Sequence, residues 1–425
     1  MKPSIVPAEL NPAASAPAGL LESFARKLLC AQLRRLRHGE IRLLDDGTEE
    51  RFGTRTERCQ LSVAIEVLHP RFYSESVFGG TVGAGAAYIR GRWRCSDLTD
   101  LTRIMCVNRA FMDELDSRWT FLTQPLLRVF HRLHGNSETG SERNIGAHYD
   151  LGNDFYRLML DETMAYSCGI FRDETTTLVD ASRAKFDAVC RSLALEPTDH
   201  LLEIGTGWGG LAIHAARNYG CRVTTTTISR AQHDYAREQI DRAGLADRVT
   251  LLFEDYRNLS GQYDKLASVE MVEAVGAPYL DTYLAKCAAL LRSTGAMLLQ
   301  AITIQDQHYH AQLRSINFIQ RYVFPGSFIP SISAIADSLR RVTDLKIFHL
   351  QDIGPHYART LALWRRNFFE HIAAVRKLGF NNDFVRLWEF YLCSCEGAFA
   401  ERALGDAQIL LTKPGCRRGV IAAAT

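Results

Sequence analysis

Leu20, Leu21, Phe24, Leu28 and Leu29 recur at helical spacing, with Arg26, Lys27, Arg34, Arg35 and Arg37 between or just beyond them. The pattern predicts a basic amphipathic helix over 20–36, which docks on the protein's own body or lies on anionic lipid. From Glu40 to about Leu101 the period shortens to β-like runs at Ile41–Leu44, Leu61–Ile65, Phe78-Gly-Gly and Gly83–Ile89. Such runs mark a small α+β domain. Helical spacing returns over 97–133, and 135–145 reads as a polar linker bearing Gly and Ser.

Beyond the linker, strands and helices alternate. Helices are predicted over Ala181–Leu195, Gly210–Asn218, Arg230–Ala243 and Asp281–Leu291. Strands are predicted over Leu201–Ile204, Arg222–Ile228, Val249–Phe253, Leu266–Val269 and Met297–Thr303. Alternation of this kind builds right-handed βαβ units and an α/β, doubly wound sheet. The expected division is a disordered leader (1–19), an amino-terminal domain (20–134), the linker, one catalytic domain (146–415) and a tail (416–425).

Composition narrows the class. The chain has 425 residues, 47% of them apolar and 23% charged, so it can bury two cores. A formal net charge of +2 gives no electrostatic case for nucleic acid, and the short basic clusters do not amount to one. Eleven cysteines without framework spacing point to a reducing, cytoplasmic compartment. No apolar run approaches the roughly 18 residues that cross a bilayer. His308, His310, Cys393 and Cys395 lack partners at ligand spacing, so no metal site is expected.

The chemistry centres on Leu201-Leu-Glu-Ile-Gly-Thr-Gly-Trp-Gly-Gly210, an apolar strand running into a glycine turn with a helix directly after. Gly205 and Gly207 allow backbone angles closed to other residues and let a nucleotide-like cofactor approach the main chain. Gly205, Gly207 and Gly210 also satisfy the dinucleotide pattern. A dinucleotide site, however, wants an acid at the end of the next strand, and Arg222-Val-Thr-Thr-Thr-Thr-Ile has none. Glu203 stands where class I S-adenosylmethionine methyltransferases carry an acid. After the third strand, Asp255 suits the adenine amino group and Tyr256 offers a stacking face.

The flanking motifs extend this. His148-Tyr-Asp-Leu-Gly-Asn-Asp-Phe-Tyr at the start of a segment ending in Tyr166-Ser-Cys168, Glu270-Met-Val-Glu-Ala-Val-Gly276, Arg321-Tyr-Val-Phe-Pro-Gly326, Gly354-Pro-His-Tyr-Ala-Arg-Thr-Leu361 and Phe390-Tyr-Leu-Cys-Ser-Cys-Glu-Gly-Ala-Phe399 occur in order. Together they closely resemble the cyclopropane fatty-acyl-phospholipid synthases and their mycolic-acid relatives, over roughly Asn144 to Lys413.

The resemblance implies an S-adenosylmethionine methyltransferase fold and methylene transfer to cis double bonds of acyl chains in membrane phospholipids. Methyl transfer to an alkene creates a carbocation that needs aromatic faces and exclusion of water. Tyr166, Tyr322, Phe324, Tyr357 and Phe399 fall within the resembling motifs. For the cofactor, the resemblance implies Tyr166 and Ser167, then Glu203, Gly205, Gly207, Trp208 and Gly209, then Thr227 and Gln232, with Gln232 taking the ribose role. In this family a bound bicarbonate ion accepts the proton. Its holders here would be the Cys168 backbone, Glu273, the Ile302 backbone and Tyr357, with Gln300 where the best-known members have histidine. Cys395 matches a cysteine regarded as important in the phospholipid synthases; it lines the active site or is a packed thiol. A possible homodimer and peripheral association with the inner face of the cell membrane are further implications. The alternatives are a fatty-acyl C-methyltransferase giving a methyl or methylene branch, methylation of a small amine, and a non-catalytic lipid-binding protein.

Overall fold

A computed structural model describes residues 19–109 and 151–419. The predicted leader up to residue 18, the linker, most of the 97–133 helical region and residues 420–425 lie outside the described residues. The chain divides into two compact units.

The larger unit holds a seven-stranded sheet in the order β10-β11-β9-β8-β5-β6-β7. Its strands are β5 (His200–Ile204), β6 (Arg222–Thr227), β7 (Val249–Phe253), β8 (Tyr263–Val269), β9 (Leu291–Ile304), β10 (Lys346–Asp352) and β11 (Leu404–Thr412). β5 to β9 run parallel, β11 returns antiparallel to β9, and β10 is antiparallel to β11. Neighbouring residues point to opposite faces, and both faces are covered. Leu202, Leu299 and Ile409 pack on one side, and Leu201, Leu298 and Leu410 on the other. That is why the centres of β5, β9 and β11 are apolar runs, whereas β6 buries a row of threonines and the edge strand β10 is largely exposed. The strand order reverses between β5 and β8, so their carboxyl ends flank the crevice where ligands bind in such sheets.

The smaller unit is built on a four-stranded sheet, β2-β1-β3-β4, with β1 (Gly39–Asp45), β2 (Thr48–Thr54), β3 (Ser62–Val67) and β4 (Trp93–Cys95). Helix α1 (Leu20–Leu33) buries Ala25, Leu29 and Leu33 in this unit and leaves Leu20, Leu21 and Phe24 exposed.

One expectation is corrected here. Phe78–Gly80 and Gly83–Ile89 are not strands but belong to helix α2 (Arg71–Ile89), which is kinked at Gly80, where φ is +57°. The glycines serve close packing: a Cβ on Gly85 would lie 2.2 Å from the Phe318 ring. Residues 315–323 and 379–401 group with the smaller unit. There the helix Asn382–Ala400 crosses α2 and α3 (Leu98–Val107), held by Tyr88 OH donating to Glu389 (2.7 Å) and Arg103 to Glu401 (2.8 Å).

Candidate functional site: a glycine turn, an aromatic wall and a buried carboxyl cluster

The turn after β5 has the geometry that its glycines predict. Gly205, Gly207 and Gly209 have φ of +101°, +54° and +92°, in or near the left-handed region that penalises side chains. A Cβ on Gly205 would also lie 3.0 Å from Met271. Glu203 is buried at the strand end and accepts a hydrogen bond from the Thr225 hydroxyl (2.6 Å). Burial pushes its carboxyl up to about 7. After β6 the Thr227 hydroxyl donates to Gln232 Oε1 (2.9 Å), which sets the orientation of that amide. Asp255 accepts from the Arg257 backbone (2.9 Å) and guanidinium (3.3 Å), and a carboxylate has further lone pairs to offer an amino group. Tyr256 is buried beside it, T-shaped against Tyr283 and with the Arg257 guanidinium 5.1 Å from its ring centre. The cradle fits S-adenosylmethionine.

Aromatic rings lead away from the turn. Trp208 packs on Tyr156 (centroids 4.9 Å apart), Tyr156 on Tyr166 (5.3 Å), Tyr166 on Trp364 (5.1 Å), and Trp364 meets Tyr357 edge-on (6.1 Å). Phe324 lies 6.5 Å from Tyr166. Trp208 is anchored by its Nε1 donating to Asn153 (2.8 Å). Aromatic rings are the groups that can stabilise a developing cation through their π-faces and keep water out.

Beyond the wall the residues expected to hold bicarbonate converge on a side chain of the protein itself. Glu270, the first residue after β8, accepts from the Cys168 backbone N–H (2.8 Å) and Gln300 Nε2 (2.8 Å) through Oε1, and from the Tyr357 hydroxyl (2.5 Å) through Oε2. Gln300 also donates to Asp406 (3.1 Å) and accepts from Gln408 (3.0 Å), which fixes which end of its amide faces Glu270. The Ile302 backbone N–H donates instead to Glu273 (2.6 Å). Lys185, fully buried, donates to the Ser167 hydroxyl (2.9 Å) and is drawn electrostatically to Glu270 and Glu203.

Three buried carboxyls cannot all ionise beside one ammonium. Burial, with Glu270 and Glu273 nearby, holds Asp406 well above the carboxylate range. Burial, with Glu270 nearby, pushes Glu273 up to about 8. Glu273 is therefore largely protonated at neutral pH, and Asp406 is shifted in the same direction. Burial raises Glu270 as well, against the pull of Tyr357, the Cys168 N–H, Lys185 and Gln300. It is the acid best equipped to carry the negative charge. These residues do not fit a bound bicarbonate. The three donors expected for it are taken up by Glu270 and the fourth by Glu273, so a second anion would face carboxyl oxygens. The bicarbonate expectation is corrected on that ground.

Cys395 lies on the helix Asn382–Ala400, in the smaller unit. Burial pushes its thiol up to about 12, so at neutral pH it is protonated and not a thiolate nucleophile.

Glu270, Asp406 and Lys185 were missed as site residues. Lys185 left a signal, since it sits on the apolar face of the helix Leu178–Leu193 between Ala181 and Val189, where a surface lysine does not belong. Asp406 and Gln408, two apart in a strand of buried residues, left another. Among the described residues, no group of His, Cys, Asp and Glu has the arrangement of a metal site.

The family model for mycolic acid cyclopropane synthetase matches residues 136–409. The chain is 38% identical to a tuberculostearic acid methyltransferase of Mycobacterium tuberculosis, over 79% of this chain and 80% of that one. It is 33% identical to the cyclopropane-fatty-acyl-phospholipid synthase of Escherichia coli K12, over 82% and 87%. A crystal structure of a mycolic acid cyclopropane synthase with SAH and CTAB superimposes with a TM-score of 0.60 at 28% identity, covering 64% of this chain and 98% of that one. With the glycine cradle and the strand order, these likenesses place the chain in the mycolic acid cyclopropane synthetase family of S-adenosylmethionine-dependent lipid methyltransferases.

Proposed function

We propose that the protein transfers a methylene group from S-adenosylmethionine to cis double bonds of unsaturated acyl chains in membrane phospholipids, forming cyclopropane rings. The observation that carries this is the run of rings from Trp208 at the cofactor turn to Tyr357 on a buried carboxylate. When bound, S-adenosylmethionine supplies an electrophilic methyl group. Glu203 and the glycine turn hold the cofactor, and Gln232 presents an amide to its ribose. Tyr166, Trp364 and Tyr357 stabilise positive charge on the acyl chain and keep water from trapping it. The ring closes when the new methyl loses a proton.

Extracting an acyl chain from a bilayer costs about 0.8 kcal/mol for each methylene, which an apolar site returns. No helix among the described residues is long and apolar enough to cross a membrane. The exposed Leu20, Leu21 and Phe24 beside Lys27, Arg34 and Arg35 on and just beyond α1 support docking on an anionic lipid surface. A second reading, a methyl or methylene branch in place of the ring, is favoured by the 38% identity to a tuberculostearic acid methyltransferase.

The test is incubation of the purified protein with S-adenosylmethionine and vesicles of unsaturated phospholipid. The proposal expects acyl chains heavier by one methylene with upfield cyclopropyl proton resonances. A methylene branch, seen as new alkene proton resonances on the acyl chain, would install the second reading, and unchanged lipid would remove both.

A further inference from the structure

We infer that the Glu270 carboxylate is this enzyme's own proton acceptor, standing where other members of the family are expected to place a bound anion. The inference rests on the proposed transfer to unsaturated acyl chains.

Three observations meet on this residue. First, an N–H, an amide NH2 and a phenol O–H, from Cys168, Gln300 and Tyr357, come from three separate parts of the unit and all end on one carboxylate. That is the donor set of an anion site, filled covalently by the chain. Second, Glu270 is held with φ at +48°, a left-handed conformation that costs any residue with a side chain. Its own N–H donates to the Gln300 carbonyl (2.8 Å), which holds the backbone in that state. Strain of this kind persists where the surroundings over-determine it, and it collects at active sites. Third, the carboxylate lies at the far end of the aromatic wall, bonded to its last ring. The groups facing it are Lys185, Tyr357, Cys168, Glu273 and Asp406, and burial pushes the carboxyls of both acids among them upward.

The step balances without a further reagent. Methyl transfer leaves a cationic carbon beside the new methyl group. A methyl C–H bond breaks, its electron pair forms the second ring bond to the cationic carbon, and the proton passes to a Glu270 oxygen. The carboxylic acid so formed returns its proton to water after the product leaves. In a branch-forming reaction a hydride first shifts from the methyl-bearing carbon to the cationic one, and the same carboxylate then takes a methyl proton as the C–H pair forms the alkene.

The experiment uses the full-length protein, S-adenosylmethionine and unsaturated phospholipid vesicles in carbon-dioxide-free buffer. Glu270→Gln keeps the shape and two of the acceptor sites but cannot take a proton. Product formation is expected to fall at least about a hundredfold, with S-adenosylhomocysteine affinity unchanged and a cooperative thermal transition retained, lowered because Lys185 loses a carboxylate partner. Glu270→Gly relieves the positive φ and opens the three donors. Its activity is expected to be as low, and to recover with added bicarbonate or formate in a concentration-dependent way. A merely structural Glu270 would give no such rescue. Full activity of Glu270→Gln, or Glu270→Gly that stays inactive with every added anion while folded and binding cofactor, overturns the inference alone. A wild-type protein that modifies no unsaturated lipid overturns the proposed function and takes the inference with it.

Discussion

The crevice is bordered by two neighbouring strands whose ends are built in opposite ways. At the end of β5 the cradle is local: within seven residues, Glu203 to Gly209, a carboxylate and three glycines of positive φ set the shape. At the end of β8 the site is assembled from afar, with Cys168, Lys185, Gln300, Tyr357 and Asp406 brought to Glu270 across more than 200 residues of chain. The cradle is made of backbone freedom, whereas the acceptor is made of buried charge. The first is sensitive to any added Cβ. The second is sensitive to any change in the count of protons and ammonium groups.

The strongest way to break that contrast is to remove the ammonium. Lys185→Met fills the same space and leaves Glu270 without the cation drawn to it, so it should cost about 3 kcal/mol or more, read by urea unfolding at pH 7. An unchanged midpoint would mean that the cluster is already neutral. Gly205→Ala is the matching change in the cradle. Strain at φ +101° and a contact of 3.0 Å with Met271 should weaken S-adenosylhomocysteine binding by about tenfold or more, read by calorimetry, while the urea midpoint moves less than in Lys185→Met.

Acidity separates the two regions further. Glu273 is raised from the ordinary 4.5 to about 8, so between those values the folded protein holds a proton that the unfolded chain has lost. Its contribution is therefore fully present below about 4.5 and fades as pH rises to about 8, at up to about 1.4 kcal/mol per pH unit. Unfolding free energy should fall from pH 6 to pH 8, and Glu273→Gln should lose part of that slope. Glu203, at about 7, should retain its own share. The smallest effect is expected away from both regions. Cys395→Ser should leave turnover within roughly a factor of two, because a thiol at about 12 is protonated at working pH.

The same contrast decides what could be read before folding. Every predicted strand of the parallel set appears, four within three residues of their expected bounds and β9 starting six residues early at Leu291, because strands covered on both faces are largely buried along their length. The glycine turn was legible because its chemistry is contiguous. The Gly- and Ala-rich stretch before Arg90 misled, because small residues at a helix contact look like turns when their neighbours in space are unknown. The segment 379–401 follows the catalytic motifs in sequence but groups with the other unit, which no local pattern announces. Glu270 stood inside a quoted motif without a role. Its importance lies in what donates to it, and those donors are set by the register that pairs Val269 with Gln300 and Ile302 with Asp406.

The account stands or falls on whether the chain supplies its own proton acceptor. The direct measurement is initial-rate lipid modification by the wild-type protein in rigorously carbon-dioxide-free buffer, compared with the same buffer containing bicarbonate. Equal rates in the two buffers are predicted, because Glu270 already fills the donors. A wild-type rate that collapses without bicarbonate and returns with it would contradict the account, and would hand the proton back to a bound anion.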